Sequence, residues 1–431
     1  MMSQGMPLAL PTARQPVLDG FHPAVIGFWA ILAAMLFNIT LCFLNTKHMM
    51  AAGSTQVIAI EMAILAVGLL AARNLVGEGA VRLSAVAVAC LLALKLINSD
   101  LDLKIVHDLA IILVFYLLGR VCPVPLAGRL VGVLLVLVIA IGLVEWLLPT
   151  VFESMFDIWG YYLDKGSLDA STVNYSNTKL FVSGQRSADA GRTLLPAVFG
   201  IHRISSIFLE PVSLGNFAII CLAWLLSMPP RSAGMRLTMA MAVGLCVVFP
   251  DSRFAAAACV MMVLYRMTPF HRSPAVAFLL PVAAVIGLVI YGGQGHDIGI
   301  APRLLDDDFS GRLLFSGQLL SSWSWRQWLG LAASPIYTAD TGYAYAIVNM
   351  GLPLAIALWF AFAMTPVASR QGQTMRGMIA LYITLSLCVG ASVFSIKTAA
   401  LCWFLYGVTT QVPKLVRERA SSLGLAVAAQ T

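Results

Sequence analysis

The sequence predicts an all-α, polytopic integral membrane protein with about twelve transmembrane helices and two long external loops. Three observations carry that expectation. Hydrophobic residues make up 60% of the 431 and charged residues 11%, against roughly a quarter charged in soluble globular chains. The mean hydropathy is +0.87. The apolar runs are about 16–24 residues long, the length a helix needs to cross hydrocarbon, and not the ~10-residue alternating segments of a barrel. Lipid offers no partner to an exposed peptide group, so helices and closed barrels are the available solutions, and run length selects helices.

In chain order, spans are expected near 24–44, 54–72, 80–97, 105–120, 128–148, 204–227, 234–250, 253–268, 275–291, 342–363, 376–393 and 395–410. Residues 1–431 then form a single membrane domain. No cleavable signal peptide is expected, because the first apolar run is long enough to remain as an anchor. With the N-terminus inside, the inner loops hold Arg14, Arg73, Arg82, Arg120, Arg129, Arg231, Arg236, Arg266, Arg272, Arg370, Arg376, Lys414, Arg417 and Arg419. The short outer loops hold Lys47, Lys104, Arg253 and Lys397. Such a bias sets topology, and it places both termini in the cytoplasm of a multi-pass protein. The net charge of +7 is therefore read as an orientation signal, and no nucleic-acid partner is expected. The eight cysteines lie in spans or in one short loop; neither a disulfide framework nor a zinc site is expected.

Two connections break the pattern of short loops, at 149–203 and 292–341, and both fall on the outer side. They carry many of the acids, among them Asp157, Asp164, Asp169, Asp189, Asp297, Asp306, Asp307, Asp308 and Asp340, together with Trp159, Tyr161, Tyr162, Trp323, Trp325 and Trp328. Phe152 to Leu163 reads as an interfacial amphipathic helix, and Arg312 to Leu331 as a second.

Ionisable residues at membrane depth or at its rim are the functional candidates. Arg203-Ile-Ser-Ser-Ile-Phe-Leu-Glu-Pro-Val-Ser-Leu-Gly215 sets an arginine at the mouth of the sixth span and Glu210 about two turns in, before Pro211. The plainer alternative is that Arg203 snorkels and Glu210 faces a polar neighbour. Asp251-Ser-Arg253 is either a capped turn or a second cationic site. Asp340 is either a helix N-cap or a general base held at the interface. Asp306–Asp308 reads as a solvated acidic turn in preference to a cation site. Glu61, Asp108 and Glu145 read as structural pairs or inner-cavity groups, Lys397 and Lys95 as snorkelling cations, and His202 as an anion ligand or a bystander. Arginine holds phosphate oxygens bidentately. Arg203, Arg253 and Arg312 on one side of the bundle therefore suit a lipid-linked phosphate or pyrophosphate, provided that they converge.

These segments resemble the O-antigen ligase and Wzy-type polysaccharide polymerase superfamily. The resemblance is carried by Arg203-x-x-Ser-x-Phe-x-Glu-Pro-x-x-x-Gly215, by Asp251-Ser-Arg-Phe-Ala-Ala-Ala, by Gly311-Arg312, and by Asp340-x-Gly-Tyr-x-Tyr with Asn-Met-Gly351 beyond it. It covers roughly residues 200 to 400. Asp340-Thr341 stands where the ligases have His-Asn, which favours a polymerase, and Gly215 falls one residue late for the arginine–glycine spacing of some O-antigen polymerases.

The resemblance implies polymerisation of undecaprenyl-pyrophosphate-linked oligosaccharide repeat units into exopolysaccharide (a xanthan-type polymerase) or O-antigen. The reaction would take place at the periplasmic face of the bacterial inner membrane, without cofactor or metal. Catalytic residues would be Asp340, Arg312, Arg253, Arg203 and Glu210, with His202, Tyr343, Trp325 and Lys397 binding substrate. Partners would be membrane lipid, a flippase and a chain-length regulator protein. The rival readings are a secondary transporter, a lipid-linked oligosaccharide flippase, or a structural partner of a biosynthetic complex.

Overall fold

The computed structural model describes residues 23–102, 104–168, 179–180, 195, 198, 202–230, 232–293, 309–334, 338 and 341–411. Among the described residues the chain is built of α-helices joined by turns and 3-10 segments, without a β-strand. The first half holds α1 (Pro23–Thr46), α2 (Ser54–Ala72), α3 (Glu78–Ile97), α4 (Lys104–Gly119), α5 (Val124–Leu147), and the short α6 (Pro149–Met155) and α7 (Ile158–Asp164). The second holds α8 (Pro211–Ser227), α9 (Ala233–Val248), α10 (Arg253–Met267), α11 (Pro274–Gly293), α12 (Phe309–Ser321), α13 (Trp325–Trp328), α14 (Gly342–Met364), α15 (Arg370–Leu387) and α16 (Ile396–Thr409). Every one of the expected apolar segments holds a helix. Among the described residues six helices are long and apolar enough to cross a membrane on length and composition, namely α1, α2, α3, α5, α11 and α14; α8, α9 and α16 are apolar but shorter.

Burial separates the helices into a centre and a rim. Every residue of α16 is buried, as is nearly all of α8. On α3 only Ala87 and Leu91 are buried, while Val81, Val86 and Leu92 are exposed. Apolar side chains facing outward in this way are what a lipid-facing helix presents. The central helix is reached through small residues. A Cβ on Gly407 of α16 would stand 2.2 Å from the Tyr116 carbonyl of α4, and one on Gly119 would stand 2.0 Å from the Phe404 carbonyl. Backbones this close are the small-residue packing that membrane helices use in place of a hydrophobic drive.

α14 is interrupted. Gly351 adopts φ 71° and ψ 145°, a conformation that a side chain disfavours, and Pro353 follows inside the helix. The stretch before the break, Gly342–Met350, is wholly buried. The turn carrying α13 leans on the break: a Cβ on Gly351 would lie 2.6 Å from the Leu329 carbonyl.

Four boundaries differ from the sequence expectation. The sixth expected span is α8, which starts at Pro211 and not near 204; Ser206–Phe208 form a 3-10 turn before it. The eleventh expected span is α15, which starts at Arg370, so Arg376 lies inside it, where it is 4% exposed and donates to the Thr365 and Arg272 carbonyls. Phe152–Leu163 is two helices broken at Phe156, because the Asp157 carboxylate caps the Gly160 amide and starts a new turn. Arg312–Leu331 likewise divides into α12 and α13. All eight cysteines are free thiols.

Candidate functional site

The Arg203–Gly215 segment lies against the end of α5 that leads into the first long connection. Its path is fixed by Glu145, in the last turn of α5 and 1% exposed. Glu145 accepts the Ser205 amide (3.0 and 3.1 Å), the Ser206 amide (2.6 Å) and the Ser205 hydroxyl (3.1 Å), and His202 Nε2 lies 2.8 Å away. A carboxylate collecting successive backbone amides outcompetes helix continuation there, since each charge-assisted bond is worth more than the neutral bond it replaces. Glu145 is thus an anchor, and His202, an anion ligand or a bystander on sequence, faces its carboxylate.

Arg203 is buried, and its Nε donates to the Pro250 carbonyl at 2.7 Å. The Ile204 amide bonds the Phe249 carbonyl at 3.1 Å. These two bonds join the segment to the hairpin between α9 and α10, and so bring Arg203 next to the turn that ends in Arg253. Ser252 is the N-cap of α10, its hydroxyl accepting the Ala255 amide. The cap is therefore not Asp251, which is 1% exposed and accepts the Leu195 amide. Arg253, in the first turn of α10, is exposed.

Backbone strain collects at the same place. Among the described residues, the non-glycine positions with positive φ are His48, Ser206, Leu209 and Asp251. Three of them belong to the Arg203 segment or to the hairpin it bonds. Each such residue costs on the order of 1–3 kcal/mol and persists only where the surroundings over-determine it.

Glu210 is the N-cap residue of α8, at the mouth of the helix and not two turns inside. Its carboxylate accepts the Ser213 hydroxyl (2.9 Å) and the Tyr162 hydroxyl, and pairs with Lys397 Nζ at 3.4 Å. Lys397 does not snorkel. It is 6% exposed and donates to the Phe208 carbonyl at 3.2 Å, fixing the turn from the side opposite to Glu145. Burial pushes the Glu210 carboxyl up, but Lys397, the Tyr162 and Ser213 hydroxyls and the charge of Lys165 outweigh it and hold the group below its usual range.

Tyr162 and Lys165, on and just after α7, complete this corner and had no marker in the sequence beyond aromatic content. Lys165 Nζ sits 5.5 Å from the Tyr162 ring centroid. Burial, reinforced by Lys397, lowers its ammonium to about 8. α7 is tied to α1: Asn45 Nδ2 donates to Asp164 (2.9 Å), the Thr46 hydroxyl accepts the Asp157 amide (2.7 Å), and the Tyr161 hydroxyl donates to Asn38 (2.8 Å).

The remaining expected residues are more scattered. Arg312 is exposed on α12. Tyr343 is buried, and its hydroxyl donates to the Thr384 carbonyl at 3.3 Å. Trp325 is exposed, with Arg326 over its ring at 5.7 Å. Asp340 and Asp306–Asp308 lie outside the described residues; the N-cap position of α14 is Thr341. Among the described residues no group of three His, Cys, Asp or Glu side chains is placed to hold a metal ion. Comparison of the chain with protein-family models, with curated proteins and with solved structures finds no match.

Proposed function

We propose that this chain polymerises undecaprenyl-pyrophosphate-linked oligosaccharide repeat units at the periplasmic face of the bacterial inner membrane, as a twelve-span glycosyltransferase with cytoplasmic termini. The observation that carries the reading is the Arg203–Pro250 hydrogen bond. It brings the motif of one arginine to the turn of another, Arg253, on a strained and doubly anchored backbone. Arg312 is the third cation, contributed by the second long connection.

In this reading the arginines hold the two phosphates of the donor and stabilise the charge that grows as the sugar C1–oxygen bond breaks. The acceptor hydroxyl oxygen bonds to C1, the pyrophosphate leaves with the bonding electrons on its lipid, and the hydroxyl proton passes to Asp340, whose helix α14 begins two residues later. Glu210 holds Lys397 and the helix mouth in place. A flippase and a chain-length regulator are the protein partners this chemistry calls for.

The test is complementation of a strain lacking the chain with alanine variants of Arg203, Arg253, Arg312 and Asp340. Each is expected to accumulate single lipid-linked repeat units at normal protein level. Full-length polymer from all four overturns the site assignment. One observation favours a second reading: the break at Gly351–Pro353 in α14 is of the kind transporters use at a substrate site. Uptake of a soluble solute by proteoliposomes holding the purified chain would favour transport.

A further inference from the structure

α10 carries Arg253 in its first turn and Arg266 in its last, about 20 Å apart along the axis at the helical rise. Arg266 thus lies at the opposite end of the bundle from the proposed reaction. The 3-10 turn Pro269–Arg272 follows it and is pressed onto α15, where a Cβ on Gly377 would stand 2.0 Å from the His271 carbonyl. This approach gathers Arg266, Arg272 and Arg376 around the buried His271.

The partners of these side chains are all uncharged. Arg266 donates from Nε to the Leu226 carbonyl at 3.4 Å, and its Nη1 lies 3.3 Å from His271 Nε2. His271 Nδ1 lies 2.6 Å from the Thr268 carbonyl. A carbonyl only accepts, so Nδ1 carries the ring proton, and Nε2 accepts from Arg266. The imidazole is therefore neutral. Arg272 donates from Nε to the Thr374 hydroxyl at 3.4 Å, and Arg376 donates to the Thr365 and Arg272 carbonyls at 3.0 and 3.4 Å. Among the described residues none of the three arginines pairs with a carboxylate.

Three guanidinium charges held together without a counter-charge are costly. Arg376, at 4% exposure, does not reach water as a snorkelling side chain does. Arg266 and Arg272 are half-buried, and both terminal nitrogens of Arg272 and one of Arg266 are left to bind something else. Met267 and Phe270, in the same turn of chain, are 79% and 59% exposed. Large apolar side chains facing outward beside cations mark the level where hydrocarbon meets headgroups. A basic pocket between helices at that level, cytoplasmic in the orientation proposed above, suits an anionic lipid headgroup.

We infer that Arg266, Arg272 and Arg376 form a site for the headgroup phosphate of an anionic phospholipid, whose chains lie against Met267 and Phe270. Arg272 and Arg266 hold the phosphate oxygens through their free N–H groups, and Arg376 supplies the third charge from within the bundle. The site is independent of the polymerase reading.

The test is a titration of the purified chain in detergent with phosphatidylglycerol, with phosphatidylcholine and with inorganic phosphate. Thermal unfolding gives the apparent affinity, and native mass spectrometry counts the lipid retained. Phosphatidylglycerol is expected to raise Tm and to remain bound, with the other two giving little. Arg266→Gln/Arg272→Gln is expected to weaken its binding about twentyfold or more, because each arginine beside anionic lipid contributes about fivefold. Arg272→Gln alone gives up only one long bond to Thr374; it is the variant to read if the double one loses monodispersity, and about fivefold weakening is expected. Arg236→Gln, at an exposed position on α9, is expected to bind as the wild type does. Equal stabilisation by phosphatidylcholine, an equal loss in Arg236→Gln, or unchanged affinity in the folded arginine variants overturns the site. Stabilisation by inorganic phosphate without retained lipid overturns the lipid as its occupant.

Discussion

Glu145 Oε2 accepts the Ser206 amide at 2.6 Å, and this contact decides where the sixth helix is allowed to begin. Replacing Glu145 by alanine strips the acceptor from two buried amides and a hydroxyl. The cost is expected to be about 3 kcal/mol, since each unsatisfied buried donor costs roughly 1–3 kcal/mol. Thermal unfolding of the purified chain in detergent checks it. Glu145→Gln, which keeps one acceptor oxygen, is expected to fall between wild type and alanine, and equal stability of all three would remove Glu145 from its anchoring role.

Lys397 and Glu210 are 187 positions apart in sequence and 3.4 Å apart in space. Lys397→Met alone leaves Glu210 without its cation and is expected to destabilise by about 2 kcal/mol, below the ~3–5 kcal/mol of fully buried pairs because Glu210 keeps part of its hydration. The double variant Lys397→Met/Glu210→Gln should lose less than the sum of the singles. Strict additivity in the cycle would mean that the pair does not interact.

Lys165 offers a pH signature. Its ammonium falls to about 8 in the folded chain from an ordinary 10.5. Between those values the unfolded chain binds the extra proton, so this residue makes stability rise with pH across the window. Burial is the main cause, Lys397 adds to it, and Glu210 and Glu61 oppose it. Lys165→Met removes the titration. The stability of wild type relative to Lys165→Met is therefore expected to improve from pH 7 to pH 10, read as a narrowing Tm gap. A gap constant with pH would show that Lys165 keeps its ordinary proton affinity.

Close backbone approach gives a steric prediction. Gly407→Leu puts a side chain where the Tyr116 carbonyl already sits at 2.2 Å from the Cβ position. The α4–α16 crossing has to open, and overpacking of this kind costs about 1–3 kcal/mol or more. Loss of the monodisperse species in detergent is the expected result; Gly287→Leu, on the open side of α11 with nothing within 4 Å, is the control expected to be tolerated.

Helix existence was legible because apolar runs of membrane length leave few alternatives. The sequence alone places the start of α8 too early because Ile204 to Leu209 is apolar enough to continue a helix. What stops it is a carboxylate about sixty residues upstream, hydrogen-bonded to Ser205 and Ser206, and nothing local reports that. A usable cue was present: proline is favoured at the first helical position, so Glu210-Pro211 marks a start. Ser369, whose hydroxyl caps the Gly372 amide, marked the true start of α15 in the same way. The Arg203 and Asp251–Arg253 motifs were visible as rare charges in apolar surroundings, and their adjacency was not. His107 and Asp108 are neighbours in sequence, but Glu61 and Tyr345 reach them from other helices, so that polar cluster has no signature along the chain.

The central claim is tested most directly by reconstitution. Purified chain in proteoliposomes is given the lipid-linked oligosaccharide from cells lacking it, with no nucleotide sugar present, and the products are resolved by size. A ladder of polymer with stoichiometric release of polyprenyl pyrophosphate, lost on Arg203→Ala and Arg253→Ala, is the predicted result. Oligosaccharide that stays at single-repeat length with well-folded wild-type chain would contradict the account.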